Sequence, residues 1–167
     1  SLNTGTMPVR ESMAFDVPQL QAYLSEHVAG FDGELVASEF KGGQSNPTYL
    51  LEAGGKRYVM RRKPSGPLLK SAHAVDREYR VITALGDTPV PVSKTHCLCV
   101  DEAVIGTWFY VMDYVDGRIF WDLSLPTLAR DQRAAIYDSL GESLALLHAV
   151  DFQAVGLTGF GKETDYI

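Results

Sequence analysis

The sequence predicts an α+β domain in which a five-stranded antiparallel sheet with one helix precedes a connector and a long helix. Three observations carry this. The first three strand-like runs are joined by short glycine-marked turns. Such turns make hairpins and leave no room for the crossovers of a doubly wound sheet. One amphipathic helix pattern separates these runs from two further strands. After Leu125-Pro126 a helical repeat places Ile136, Leu140, Leu144 and Leu147 on one stripe.

Residues 1–14 read as a leader, because Ser1 to Thr6 is small and polar with neither a charged nor an apolar signal region. Asp16 can cap a short helix with Pro18 in its first turn and Leu20, Leu24 and Val28 along its apolar side. Residues 35–40 and 48–53 read as strands around the run Gly42-Gly43-Gln44-Ser45-Asn46-Pro47. Gly54-Gly55 turns the second into a third strand, residues 57–61. A proline-rich loop leads to a helix over 74–85, closed by Gly86. Strands follow at 96–101 and 108–114, with Ile105-Gly106-Thr107 turning between them, and the long helix spans about 131–150. Residues 15–115 thus form one unit, and 116–167 begin a second, helical one.

With 46% apolar and 22% charged residues, the 167-residue composition is that of a globular protein. No apolar run approaches the roughly 20 residues that cross a bilayer, so no membrane association and a cytoplasmic location are expected. A net charge of −6 argues against nucleic acid. Yet eight of the fifteen basic residues lie between Lys56 and Arg80, beside only Asp76 and Glu78. That strip is either a solvated surface or a site for a small anion such as a nucleotide. Cys97 and Cys99 fall on one side of a strand next to His96. Neighbours on one strand cannot surround a tetrahedral ion, so they read as buried reduced thiols and no metal site is expected.

Four features carry chemistry. Gly42 and Gly43 let a turn present unpaired N–H groups to phosphate oxygens, with Ser45 and Asn46 beside them, although such a turn can also be only a turn. Arg61 ends the strand Tyr58-Val59-Met60-Arg61 and shares a face with Val59; it is either an exposed edge cation or a phosphate ligand. On the following helix Val75, Glu78, Tyr79, Ile82 and Leu85 form one stripe, placing Glu78 among apolar residues. A carboxylate there needs a partner, and Arg61 is the available cation. Finally, an apolar strand from Phe109 runs into the polar connector Asp113-Tyr114-Val115-Asp116-Gly117; it is either an ordinary buried strand with its turn or a place where backbone near Asp113 to Val115 could bond an adenine edge.

Gly42 to Tyr49, Tyr58 to Pro64, Ser71 to Arg80 and Phe109 to Arg118, with Leu144-Ala145-Leu146-Leu147-His148, resemble the aminoglycoside-phosphotransferase/choline-kinase superfamily. They are most similar to its branch of kinase domains fused to acyl-CoA dehydrogenases. The resemblance implies the protein-kinase-like fold: small lobe, hinge and first large-lobe helix. It implies ATP and Mg2+ as cofactors and phosphorylation of a hydroxyl on a small molecule, in this branch a 4-hydroxyacyl-CoA. By it Gly42, Gly43, Gln44, Ser45 and Asn46 cover the phosphates. Arg61 replaces the usual strand lysine with Glu78 as its partner, and Met112, Asp113, Tyr114 and Val115 hold the adenine, with Val59 in the same site.

Kinase chemistry also needs a catalytic-loop aspartate, an asparagine and a second, metal-holding aspartate. The only asparagines are Asn3 and Asn46, both ahead of the connector. His148-Ala149-Val150-Asp151 and Asp151-Phe152-Gln153 imitate catalytic motifs with the wrong spacing. These 167 residues are therefore expected to carry no catalytic or metal residues and to be inactive on their own, the catalytic half lying elsewhere in the parent protein. The alternatives are a non-catalytic nucleotide-binding or regulatory module, and an interaction domain without nucleotide.

Overall fold

The computed structural model describes residues 5–41, 46–64 and 74–161. In chain order they form β1 (Thr6–Pro8), a 3-10 turn (Glu11–Met13), α1 (Val17–His27), β2 (Val36–Phe40), β3 (Thr48–Ala53) and β4 (Lys56–Arg62). Next come α2 (Val75–Leu85), β5 (Thr95–Cys99), α3 (Glu102–Ile105), β6 (Phe109–Asp113) and α4 (Arg130–His148). The chain divides into two compact units, residues 1–80 with 93–115 and residues 81–92 with 116–167.

The first unit is built on an antiparallel sheet in the order β1-β2-β3-β4-β6-β5. It has six strands where five were expected. The extra one comes from the segment read as a leader: Thr6 pairs with Phe40, Met7 with Glu39 and Pro8 with Ser38. Pro8 is tolerated because β1 is an edge strand, where a missing N–H breaks no ladder. Between β3 and β4, Gly54 and Gly55 take φ of +54° and +76°, the left-handed pair of a tight hairpin. A side chain at Gly54 would also strike the Asp32 carboxylate and backbone carbonyl.

Local signals explain the helices on this unit. The Asp16 carboxylate accepts from the Gln19 N–H at 2.9 Å, Pro18 occupies the first turn, and Leu20 and Leu24 are buried. α3 is a single turn inside the stretch read only as a bend; Asp101 caps it through the Ala103 N–H, and Gly106 ends it at φ +82°.

One sheet face, carrying Tyr49, Leu51, Tyr58, Met60, Phe109 and Val111, packs with Leu20 and Leu24 into the main core. Cys97 and Cys99 join that core as free thiols, and burial pushes the Cys97 thiol up to about 12. Replacing Cys97 with serine puts a stronger hydrogen-bonding group in that apolar space, and an expected cost of about 1 kcal/mol is readable as a lower urea midpoint.

Arg62 lies on this same face, only 2% exposed, although its neighbours in the run Arg61-Arg62-Lys63 suggested a solvated strip. Its guanidinium stands over the Tyr49 and Phe15 rings at 5.2 and 5.5 Å, and Nη2 donates to the Met13 carbonyl at 2.9 Å. Nearby Glu39, 3% exposed, is ion-paired with Arg10 through both carboxylate oxygens. These contacts bind residues 10–13 to the sheet.

In the second unit α4 begins one residue before its expected start and ends two before its expected end. The Gln132 side chain accepts from the Ala129 N–H at 3.1 Å, closing its first turn. None of its residues is buried, and of the stripe formed by Ile136, Leu140, Leu144 and Leu147 the three leucines stand 42–52% exposed. Among the described residues no helix is long and apolar enough to cross a membrane.

Candidate functional site

The other face of the sheet is set by alternation along β4. Tyr58 and Met60 point into the core, so Val59 and Arg61 point the opposite way. The β4–β6 register puts Arg61 opposite Tyr110 and Val59 opposite Met112. Leu50 and Thr48 of β3 lie opposite Val59 and Arg61 on the other flank. This face therefore has an apolar end at Leu50, Val59 and Met112. Two residues further along β4, roughly 7 Å away, its polar end holds Arg61, Thr48 and Tyr110.

α2 supplies the acid. Its stripe runs from buried Val75 to buried Leu85, with Arg77 and Arg80 exposed as expected. Glu78 lies between them on that stripe and meets Arg61: Nε is 2.9 Å from Oε2, and Nη2 donates to Oε1 at 3.3 Å. The two side chains are 32% and 33% exposed, so the pair is open to solvent rather than sealed in the core. An exposed pair of this kind contributes little to stability. Its orientation is the feature that matters here, because a guanidinium with donors to spare can still take up an anion.

Asn46, expected over the phosphates, is 4% exposed, and its Nδ2 donates to Glu78 Oε1 at 2.7 Å. Gly42, Gly43, Gln44 and Ser45 lie outside the described residues. Tyr110, which sequence reasoning did not single out, donates its hydroxyl to Glu78 Oε2 at 3.0 Å. Burial, with the Glu78 carboxylate adding to it, raises its pKa well above the ordinary phenol value, so it stays a donor.

The connector residues divide. Met112 faces the Arg61 side, whereas Asp113 is opposite Tyr58 and its carboxylate meets His96 Nε2 at 2.6 Å. The Asp113 N–H bonds the Lys94 carbonyl at 2.8 Å and the Tyr114 N–H bonds that of Arg57 at 3.4 Å. The Arg57 guanidinium also covers the Tyr114 ring at 4.2 Å. Val115 is exposed, and its N–H has no hydrogen-bond partner among the described residues. Of the Asp113, Tyr114 and Val115 N–H groups, this is the one without a partner among the described residues.

Comparison with known proteins shows the family of the chain. The model of the phosphotransferase enzyme family matches residues 36–167. The probable acyl-CoA dehydrogenase IBR3 of Arabidopsis thaliana is 47% identical over 98% of this chain, which covers 21% of that protein. Acyl-CoA dehydrogenase family member 11 of Homo sapiens is 45% identical over 91% of the chain and 20% of its own length. A Ralstonia eutropha crystal structure described as an aminoglycoside phosphotransferase superposes with a TM-score of 0.81 at 48% identity, over 92% of this chain and 44% of that one. The chain thus spans about a fifth of the curated relatives' length. The expected superfamily, its branch and the α+β kinase-like fold all stand.

Proposed function

The chain belongs to the phosphotransferase enzyme family, and on that premise we propose that its sheet unit holds ATP for phosphoryl transfer to a hydroxyl of a small molecule. The observation that carries this is the single sheet face on which the Arg61–Glu78 pair lies one alternation from the Val59–Met112 pair. A nucleotide has the matching polarity, an apolar base at one end and oxyanions at the other. Val59 and Met112 fit the flat side of an adenine, the Val115 N–H can donate to its edge, and Arg61 reaches the α and β phosphates. The run Gly42-Gly43-Gln44-Ser45, outside the described residues, is proposed to supply backbone N–H groups to the phosphates. Such a site works by positioning and by charge stabilisation, which dominate phosphoryl transfer.

Among the described residues no group of three acidic, histidine or cysteine side chains is placed to hold a metal ion. Mg2+ is proposed to arrive bound to the phosphates of ATP. The hydroxyl-orienting and metal-holding groups are assigned to sequence beyond these 167 residues, so the chain alone is not expected to turn over. The acceptor is proposed to be a hydroxyacyl-CoA or related metabolite, because relatives that share this region are named acyl-CoA dehydrogenases.

Thermal unfolding of the full-length gene product with increasing Mg-ATP tests the reading. The melting temperature should climb with nucleotide concentration, and labelled γ-phosphate should move to a hydroxyacyl-CoA. No stabilisation at millimolar Mg-ATP would end the nucleotide assignment. Stabilisation without transfer to any hydroxyl would reduce the protein to a nucleotide-binding module.

A further inference from the structure

Three side chains from three segments meet at the carboxylate of Glu78. Oε1 of Glu78 receives Asn46 Nδ2 and Arg61 Nη2, and Oε2 receives the Tyr110 hydroxyl while contacting Arg61 Nε. A glutamate on a partly exposed helix face would otherwise sample several rotamers, and an ion pair in water does not hold two flexible side chains in one geometry. A donor on each oxygen, contributed by a group other than the arginine, removes that freedom.

We propose that Tyr110 is a positioning residue: its hydroxyl, working with the Asn46 amide, locks the Glu78 carboxylate so that the Arg61 guanidinium is held for phosphate. This rests on the nucleotide reading above. Tyr110 is suited to the task because its own freedom is small. It is 1% exposed, lies directly opposite Arg61 in the β4–β6 register, and its ring meets that of Tyr79 edge-on at 6.0 Å. The ring thus packs against the helix residue next to Glu78. Asn46 does the corresponding work on the other carboxylate oxygen, Oε1.

The rival explanation is that the hydroxyl merely finds a partner for itself in a buried place. The two differ in what Tyr110→Phe does. Removing a hydrogen bond to a charged group should raise the Kd of the full-length protein for Mg-ATP by about fivefold, while adenosine affinity and melting temperature hardly move. In an Arg61→Ala background the same change should add nothing, because the tyrosine acts only through the arginine. Asn46→Ala should show the same dependence on Arg61, and it carries the test should the phenylalanine variant not fold. An unchanged Mg-ATP Kd, an equal loss for adenosine, or the same fold-loss without Arg61 would each overturn the role of Tyr110 while leaving ATP binding intact. Failure of the unmodified protein to bind Mg-ATP would instead sink the underlying reading and this inference together.

Discussion

Arg61→Ala in the full-length protein is expected to weaken Mg-ATP binding by about thirtyfold, in line with loss of charge-assisted contacts to phosphate. Adenosine binding should stay within about twofold, since no phosphate is present to miss the cation. The fold should survive. Arg61 is about one-third exposed, so its truncation opens no sealed cavity, and Glu78 retains Asn46 and Tyr110 as donors. Titration calorimetry with ATP, ADP, AMP and adenosine separates the effects. The penalty should shrink as phosphates are removed, and equal losses for ATP and adenosine would refute contact between Arg61 and phosphate. Lysine at this position should recover only part of the affinity, because a single ammonium replaces the two guanidinium nitrogens that now meet Glu78.

Much of this arrangement was legible before the structure. Capping residues and apolar spacing located α1, two glycines located the β3–β4 turn, and the α2 stripe singled out Glu78 and required a cation beside it. The rest escaped for identifiable reasons. β1 is three residues long and includes a proline, so no alternation marks it; its strand character comes from pairing with β2. α3 is one turn, too short for a helical period. Tyr110 was overlooked because β4 and β6 are not consecutive, and nothing local reveals that Arg61 and Tyr110 lie opposite each other. Arg62 illustrates the limit of composition. Three adjacent basic residues resemble a solvated strip, yet strict alternation from buried Met60 already sends Arg62 to the core side. An acidic residue, aromatic rings and the Met13 carbonyl, placed beside it by tertiary structure, make that burial tolerable.

That acid, Glu39, leads to the largest stability effect expected here. Its hydrogen bonds from Arg10, chiefly, hold its carboxyl below the usual carboxylate range, and the nearby Arg62 guanidinium reinforces this. Glu39→Ala leaves Arg62 buried with aromatic faces and the Met13 carbonyl, but without its nearby anion. Removing one partner from a buried charge cluster costs several kcal/mol. About 3 kcal/mol is expected, near the low end because Arg10 remains hydrated and the rings offset part of the loss. The same pair sets a pH dependence. Since the folded carboxyl is the more acidic, its contribution is fully present above the unfolded glutamate value and is lost as pH falls through the folded value. The unmodified protein should therefore lose urea stability in acid more steeply than Glu39→Ala, and the two curves should converge once both states are protonated. Parallel acid profiles for the two proteins would show that the Arg10–Glu39 contact contributes nothing to holding residues 10–13 on the sheet.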